Sequence, residues 1–132
     1  MSRITSTFAA LAVLAVSAFM LSACSSGATA RGTSYSYEFA TLKAHLPHHL
    51  DDVYRATERT MNNLELEIES SSKDAFEARI IARGVRNLRH AIDLRREGDT
   101  VTSVSISVGA LGDETRSREI MSMIEERLTP QD

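Results

Sequence analysis

The stretch TVTSVSISVG, residues 100–109, restricts the fold more than any other part of this 132-residue chain. Val104, Ile106 and Val108 alternate with Ser103, Ser105 and Ser107. Successive side chains of a strand point to opposite faces, so one face here is apolar and the other hydroxylic. Such a strand suits an antiparallel sheet that is packed on one side and solvated on the other. It fits neither a helix nor the continuous apolar run of a parallel sheet. Its partner strands must carry the same alternation.

They do. LELEIE at 64–69 turns Leu64, Leu66 and Ile68 inward and three glutamates outward. SSSKD reads as a polar turn, and FEARIIAR at 76–83 repeats the alternation through Phe76, Ala78, Ile80 and Ala82. NLRHAIDLRRE at 87–97 suits a helix through Leu88, Ala91, Ile92 and Arg95, or a strand through Leu88, His90, Ile92 and Leu94. The Gly98-Asp99 turn that follows decides for the strand, because a hairpin needs a partner before it. YSYEFATLKAHL opens the folded part as one strand, with Tyr35, Tyr37, Phe39 and Thr41 on one face.

Two stretches carry the helical period instead. Pro47 suits a first helical position, and Asp51 and Asp52 in the first turn match the helix dipole. Leu50, Val53, Tyr54, Thr57, Met61 and Leu64 then form a stripe on a helix of about 16 residues, ending near Asn62-Asn63. Asp113 is a fitting N-cap for a second helix, whose face is Ser117, Ile120, Met121, Ile124 and Leu128 and which Pro130 stops. The expected class is α+β, in the order β-α-β-β-β-β-α. With the five strands numbered in chain order, tight connections predict a curved antiparallel sheet 2-3-4-5-1. Both helices must cover its single apolar face. The arrangement resembles the TATA-binding-protein-like and helix-grip folds.

Ahead of this domain, Phe8–Ala23 is 16 residues without a charge, preceded by Arg3 and no acid. About 20 apolar residues are needed to cross a bilayer, so the run reads as a secretory signal peptide rather than an uncleaved anchor helix. It ends in Leu21-Ser22-Ala23-Cys24, which resembles the lipobox of bacterial lipoproteins. The resemblance implies cleavage before Cys24, a diacylglyceryl group on its sulfur and an acyl chain on its freed amine. Cys24 is the one cysteine of the chain, so no internal disulfide competes for it. One myristoyl chain binds a membrane marginally, whereas two or three hold it firmly. Ser25 in place of Asp, by resemblance to enterobacterial sorting, implies the outer membrane, with the protein facing the periplasm.

Residues 25–34, SSGATARGTS, are too small and polar to bury a core and read as a tether with an r.m.s. span of about 17 Å. The expected organisation is therefore a signal peptide at 1–23, the lipidated Cys24 and tether at 24–34, and one domain at 35–132. Loss of residues 1–23, with Arg3, leaves 109 residues carrying 14 Lys+Arg against 18 Asp+Glu, a net charge of −4. That balance argues against a nucleic-acid partner and against a polybasic membrane patch. The expected membrane contact is the lipid on Cys24, since both helices need their apolar faces for the core.

Over residues 37–128 the domain resembles a family of small proteobacterial lipoproteins carrying a domain of unknown function. The resemblance rests on Val53-Tyr54-Arg55-Ala56-Thr57 and on the run from Val104 to Glu114, continued by Ser117, Ile120 and Ile124. The basic stretch from Arg83 to Arg96 departs from it, since a shorter and less basic hairpin is expected there. The resemblance implies no catalytic residue.

Chemistry has few footholds. His45, His48 and His49 lie within five residues and carry nitrogens suited to Zn²⁺ or Cu²⁺. Pro47 interrupts their spacing, and surface histidines at a helix start are the favoured reading, with no cofactor expected. Asp51 and Asp52 point different ways on a helix and do not read as a carboxylate dyad. Arg83, Arg86, Arg89, Arg95 and Arg96 suit an anionic glycan or a lipopolysaccharide phosphate, but a solvated sheet face balanced by Glu77, Asp93 and Glu97 is the favoured reading. Ser105 and Ser107 have no histidine or acid at nucleophile spacing. Two functions are therefore weighed. One is a non-enzymatic module contacting an envelope protein or peptidoglycan. The other is a helix-grip carrier of a small apolar ligand, which a domain this short can hardly hollow out.

Overall fold

A computed structural model describes residues 33–129 of the chain. In chain order these form β1 (Tyr35–Glu38), β2 (Thr41–Leu46), α1 (Leu50–Asn63), β3 (Glu67–Lys73), β4 (Glu77–Arg83), β5 (Arg89–Arg96), β6 (Thr102–Val108) and α2 (Glu114–Leu128). The strands make one antiparallel sheet in the order β1-β2-β6-β5-β4-β3. Taken from the other edge, β3-β4-β5-β6-β2 is the run of five expected from sequence. A sixth strand, β1, lies beyond it, so the five-stranded description is corrected.

The extra strand arises because the segment expected as one strand folds back at Phe39-Ala40. Glu38 pairs with Thr41, which leaves a two-residue hairpin turn. Phe39 and Ala40 sit at φ of 49° and 64°, the backbone form that Asn-Gly usually supplies. Neither residue announces a turn, so the period-two pattern runs straight through it.

Two boundaries also move. The first helix begins at Leu50 with His49 as its N-cap, and Pro47 stays outside it. Here the His48 N–H donates back to the Leu46 carbonyl at 2.8 Å, and the Thr102 hydroxyl donates to the His48 carbonyl at 2.9 Å. Those bonds hold the Pro47 segment as a corner between β2 and α1. Next, β3 runs on through Ser70, Ser71 and Ser72, which the sequence assigns to a turn. The true turn is made by Asp74, whose carboxylate accepts the N–H groups of Phe76 and Glu77 at 2.7 and 2.8 Å. Phe76 thereby falls outside β4 and is exposed rather than inward. The ambiguous segment at 87–97 is a strand, with His90, Ile92 and Leu94 buried.

Both helices pack on one face of the sheet. Leu42, Ile80, Ile92, Val104 and Ile106 rise from the strands to meet Val53 and Met61 of α1 and Ile120, Met121 and Ile124 of α2. Full burial of each such side chain contributes about 1.5–3 kcal/mol. The hydroxyls buried with them find partners within their own helices. Thr57 donates to the Val53 carbonyl at 2.7 Å, Thr60 to that of Ala56 at 2.8 Å and Ser117 to that of Asp113 at 2.7 Å. Asp113 caps α2 as expected, its side chain accepting the Arg116 N–H at 2.9 Å. Among the described residues the core runs from Tyr37 to Leu128, all within one compact unit.

Candidate functional site

The helices leave the other face of the sheet bare, and register arranges its side chains in rows. Lys43, Ser105, Asp93, Arg79 and Ser72 lie opposite one another across five strands. Beside them run His45, Ser103, Arg95 and Glu77 in one row, and Thr41, Ser107, Ala91, Ile81 and Ser70 in another. The middle of the face is thus a floor of small side chains along β6, and the charges stand on its two sides. A shallow depression over this face is lined by Lys43, Arg79, Asp93, Arg95, Ser103 and Ser105, among others.

The charges are matched in sign. Arg79 pairs with Asp93, which holds its guanidinium still more firmly protonated, and Arg95 lies 4.0 Å from Glu77. His45 Nδ1 is 2.8 Å from Glu97, and Arg83 pairs with Glu69. Exposed pairs of this kind contribute at most about 1 kcal/mol each, so they set a charge pattern more than they stabilise the fold. The Ser107 hydroxyl meets that of Thr41 at 2.9 Å, which links β2 to β6 through side chains as well.

The residues singled out from sequence disperse. His45 stands on the open face, His48 is half-buried at the corner before α1, and His49 is exposed at the N-cap. Among the described residues, no three His, Cys, Asp or Glu side chains converge where they could hold a metal ion. Asp51 pairs with Lys73, whose ammonium lowers its carboxyl from the ordinary range, while Asp52 pairs with Arg55 at 2.7 Å. Of the arginines in the basic stretch, Arg83, Arg95 and Arg96 go to separate partners, Arg96 to Asp99 at 2.8 Å, while Arg86 and Arg89 join no ion pair among the described residues. Cys24 and the motif Leu21–Cys24 lie outside the described residues. Among the described residues, no helix is long and apolar enough to cross a membrane.

Two features escape the sequence. One is His90, buried in β5 with Nδ1 3.0 Å from the Leu88 carbonyl. Nδ1 therefore carries the proton, and the bare Nε2 faces the core without a hydrogen bond. Gly84 is needed beside it, because a Cβ there would stand 3.1 Å from His90 Cε1 and 2.9 Å from Leu66 Cδ2.

The other is the end of the sheet where β2 begins and β6 ends. Register places the β1–β2 turn, the loop after β6, the β4–β5 connection and the α1–β3 turn together at that end. Phe39, Leu111 and Val85 project from the first three of these and are 98%, 93% and 87% exposed. The loops touch in sequence. A Cβ on Gly112, at φ 78°, would collide with Ala40 and the Tyr37 hydroxyl, and one on Gly109 would come within 3.1 Å of Leu88. Among the described residues, the five non-glycine residues at positive φ, Phe39, Ala40, Glu65, Arg86 and Asn87, all belong to this end.

At the opposite end the chain enters through Tyr35, which pairs with Ala44. Its hydroxyl donates to Glu125 of α2, and the Arg118 guanidinium lies 5.8 Å from its ring centre. Burial and the Glu125 carboxylate push the phenol up to about 12. That contact clamps the entry of the chain onto the second helix.

No curated protein matches the chain. A family does, described as "Protein of unknown function (DUF3568)", and its match extends further toward the N-terminus than the 37–128 expected from sequence. From residue 7, at the start of the apolar N-terminal run, to residue 127, in the last turn of α2, this chain belongs to that family.

Proposed function

We propose that the protein is a lipid-anchored lipoprotein of the bacterial cell envelope whose domain works as a non-enzymatic interaction module through the open face of its sheet. The anchor is Cys24, diacylated on sulfur and acylated on its amine. The site is the outer membrane, with the domain in the periplasm. One observation carries the module reading: the sheet has a broad face that neither helix covers. Its floor is small and hydroxylic and its margins carry paired charges. Such a face presents hydrogen-bonding groups to an envelope protein or to peptidoglycan, and most of its charges already meet a partner. The apolar-carrier reading has less support, because side chains of α1 and α2 fill the space between sheet and helices.

Two experiments test this. Intact mass and fractionation of the protein made in a bacterial envelope should show a chain starting at Cys24, carrying acyl chains, in the outer membrane. Cys24→Ser should accumulate as unprocessed precursor. A wild-type mass without acyl chains would end the anchor reading. For the module, a photo-crosslinking residue at Ser105 should give discrete adducts with an envelope protein or with peptidoglycan. The same probe at Glu126, on the exposed side of α2, should give none. Adducts from Glu126 alone would move the interaction off the sheet.

A further inference from the structure

A single exposed apolar side chain is ordinary, but here three neighbouring loops each hold one, Phe39, Leu111 and Val85, almost wholly in water. Residues kept at positive φ without glycine persist where the surroundings impose them, and they gather at sites of function. Phe39, Ala40, Arg86 and Asn87 are such residues, and they stand in two of the three loops. The third loop thrusts Leu111 outward between Gly109 and Gly112, both also at positive φ. Apolar burial inside the domain does not explain any of the three projections.

We infer that this loop end docks on a phospholipid bilayer, with Phe39, Leu111 and Val85 dipping into the boundary between headgroups and acyl chains. The shape decides for a bilayer. Each tip is at least 87% exposed and so stands proud of its own loop; a rigid protein surface would need a matched pocket for each, whereas a fluid interface closes around all three. The charges nearby are mixed. Arg86 and Arg89 take part in none of the ion pairs among the described residues, and Glu38 and Glu65 lie at the same end. Docking is therefore carried by apolar insertion and depends little on salt.

Chain length fits the same leaflet that holds Cys24, a point that rests on the anchor proposed above. With the loop tips in the interface, Tyr35 stands higher by the length of β1, about 13 Å for four extended residues. The ten residues 25–34, small and polar in sequence, correspond to a tether with an r.m.s. span of about 17 Å. Lipid and loops can thus hold one membrane together without stretching the connection. Two linked weak contacts then reinforce each other through effective concentration.

The test uses the unacylated chain from Ser25, which carries every core residue among those described, so its outcome does not depend on lipidation of Cys24. Co-sedimentation with phosphatidylcholine vesicles, and with phosphatidylethanolamine–phosphatidylglycerol vesicles, should show binding to both that survives 0.5 M salt. Phe39→Asn and Leu111→Ser should each weaken partitioning about ten-fold or more, as expected for withdrawing a large apolar side chain from the interface. Phe39→Asn separates docking from folding, because Asn tolerates the left-handed backbone better than Phe, so its melting temperature should hold or rise. Failure of the wild-type chain to bind either vesicle overturns the inference, as does binding unaffected by both substitutions. Binding abolished by salt overturns it too. So does a concentration-dependent dimer lost in Leu111→Ser, which would give the tips to a second copy.

Discussion

A single imidazole sets how this domain responds to acid. His90 is buried beside Leu66 and the backbone of Gly84, and its Nε2 makes no hydrogen bond. Burial holds its pKa below the ordinary histidine range, and the nearby Arg116 guanidinium adds to this. The Leu88 and Ala82 carbonyls and the Asp113 carboxylate offset the effect in part. The unfolded chain therefore takes up a proton near pH 6.5 that the folded one refuses. Stability from this group is complete above that pH and falls as pH drops through it, by at most about 1.4 kcal/mol per unit. Thermal melts between pH 7.5 and 5.5 should show this slope, and His90→Leu should flatten it; an equal slope in both proteins would assign the acid response elsewhere. The sequence placed His90 inward through alternation with Ile92 and Leu94. It gave no sign that one nitrogen would stay bare, because that depends on which atoms β4 and α2 bring opposite.

Alternation was readable wherever a strand lies under the helices and was misread where it does not. Central strands such as β5 and β6 bury every second residue, so apolar and polar side chains separate cleanly. Residues 69–73 of the edge strand β3 are exposed on both sides, and serines there satisfy the sheet as well as valines would. Nothing in their composition distinguishes them from a turn. The β1–β2 hairpin was hidden for a related reason: its turn is made by Phe39-Ala40 against backbone preference. The open face was predictable from the serines of β6, but the charge pairs on it required the register. One pair of substitutions tests that register directly. Ile106→Asp puts an unpaired carboxylate in the core and should leave the domain unfolded at 25 °C by circular dichroism. Ser105→Asp, one residue away on the open face, should cost no more than about 1 kcal/mol. Comparable losses would mean that β6 faces the other way.

At the scale of the whole molecule, class and helix placement followed from the need to cover one apolar face, and they hold. Which surface meets the outside world did not follow, because loops carry no periodicity and an exposed Phe39 reads like any strand aromatic. The pairing of β2 with β6 reaches further than either. It joins Thr41 to Ser107, 66 residues apart, while β3 through β6 pair with their neighbours in sequence. Contacts close in sequence form first, since long loops are slow to close. The meander β3–β6 is thus the part able to nucleate alone, and the N-terminal hairpin waits for the last strand. Substitutions in β4 and β5 should slow refolding, whereas Tyr37→Ala in β1 should mainly speed unfolding, as stopped-flow measurements can separate. For a chain synthesised from its N-terminus, the β1–β2 hairpin leaves the ribosome before every other strand and is then the last part of the sheet to be fixed.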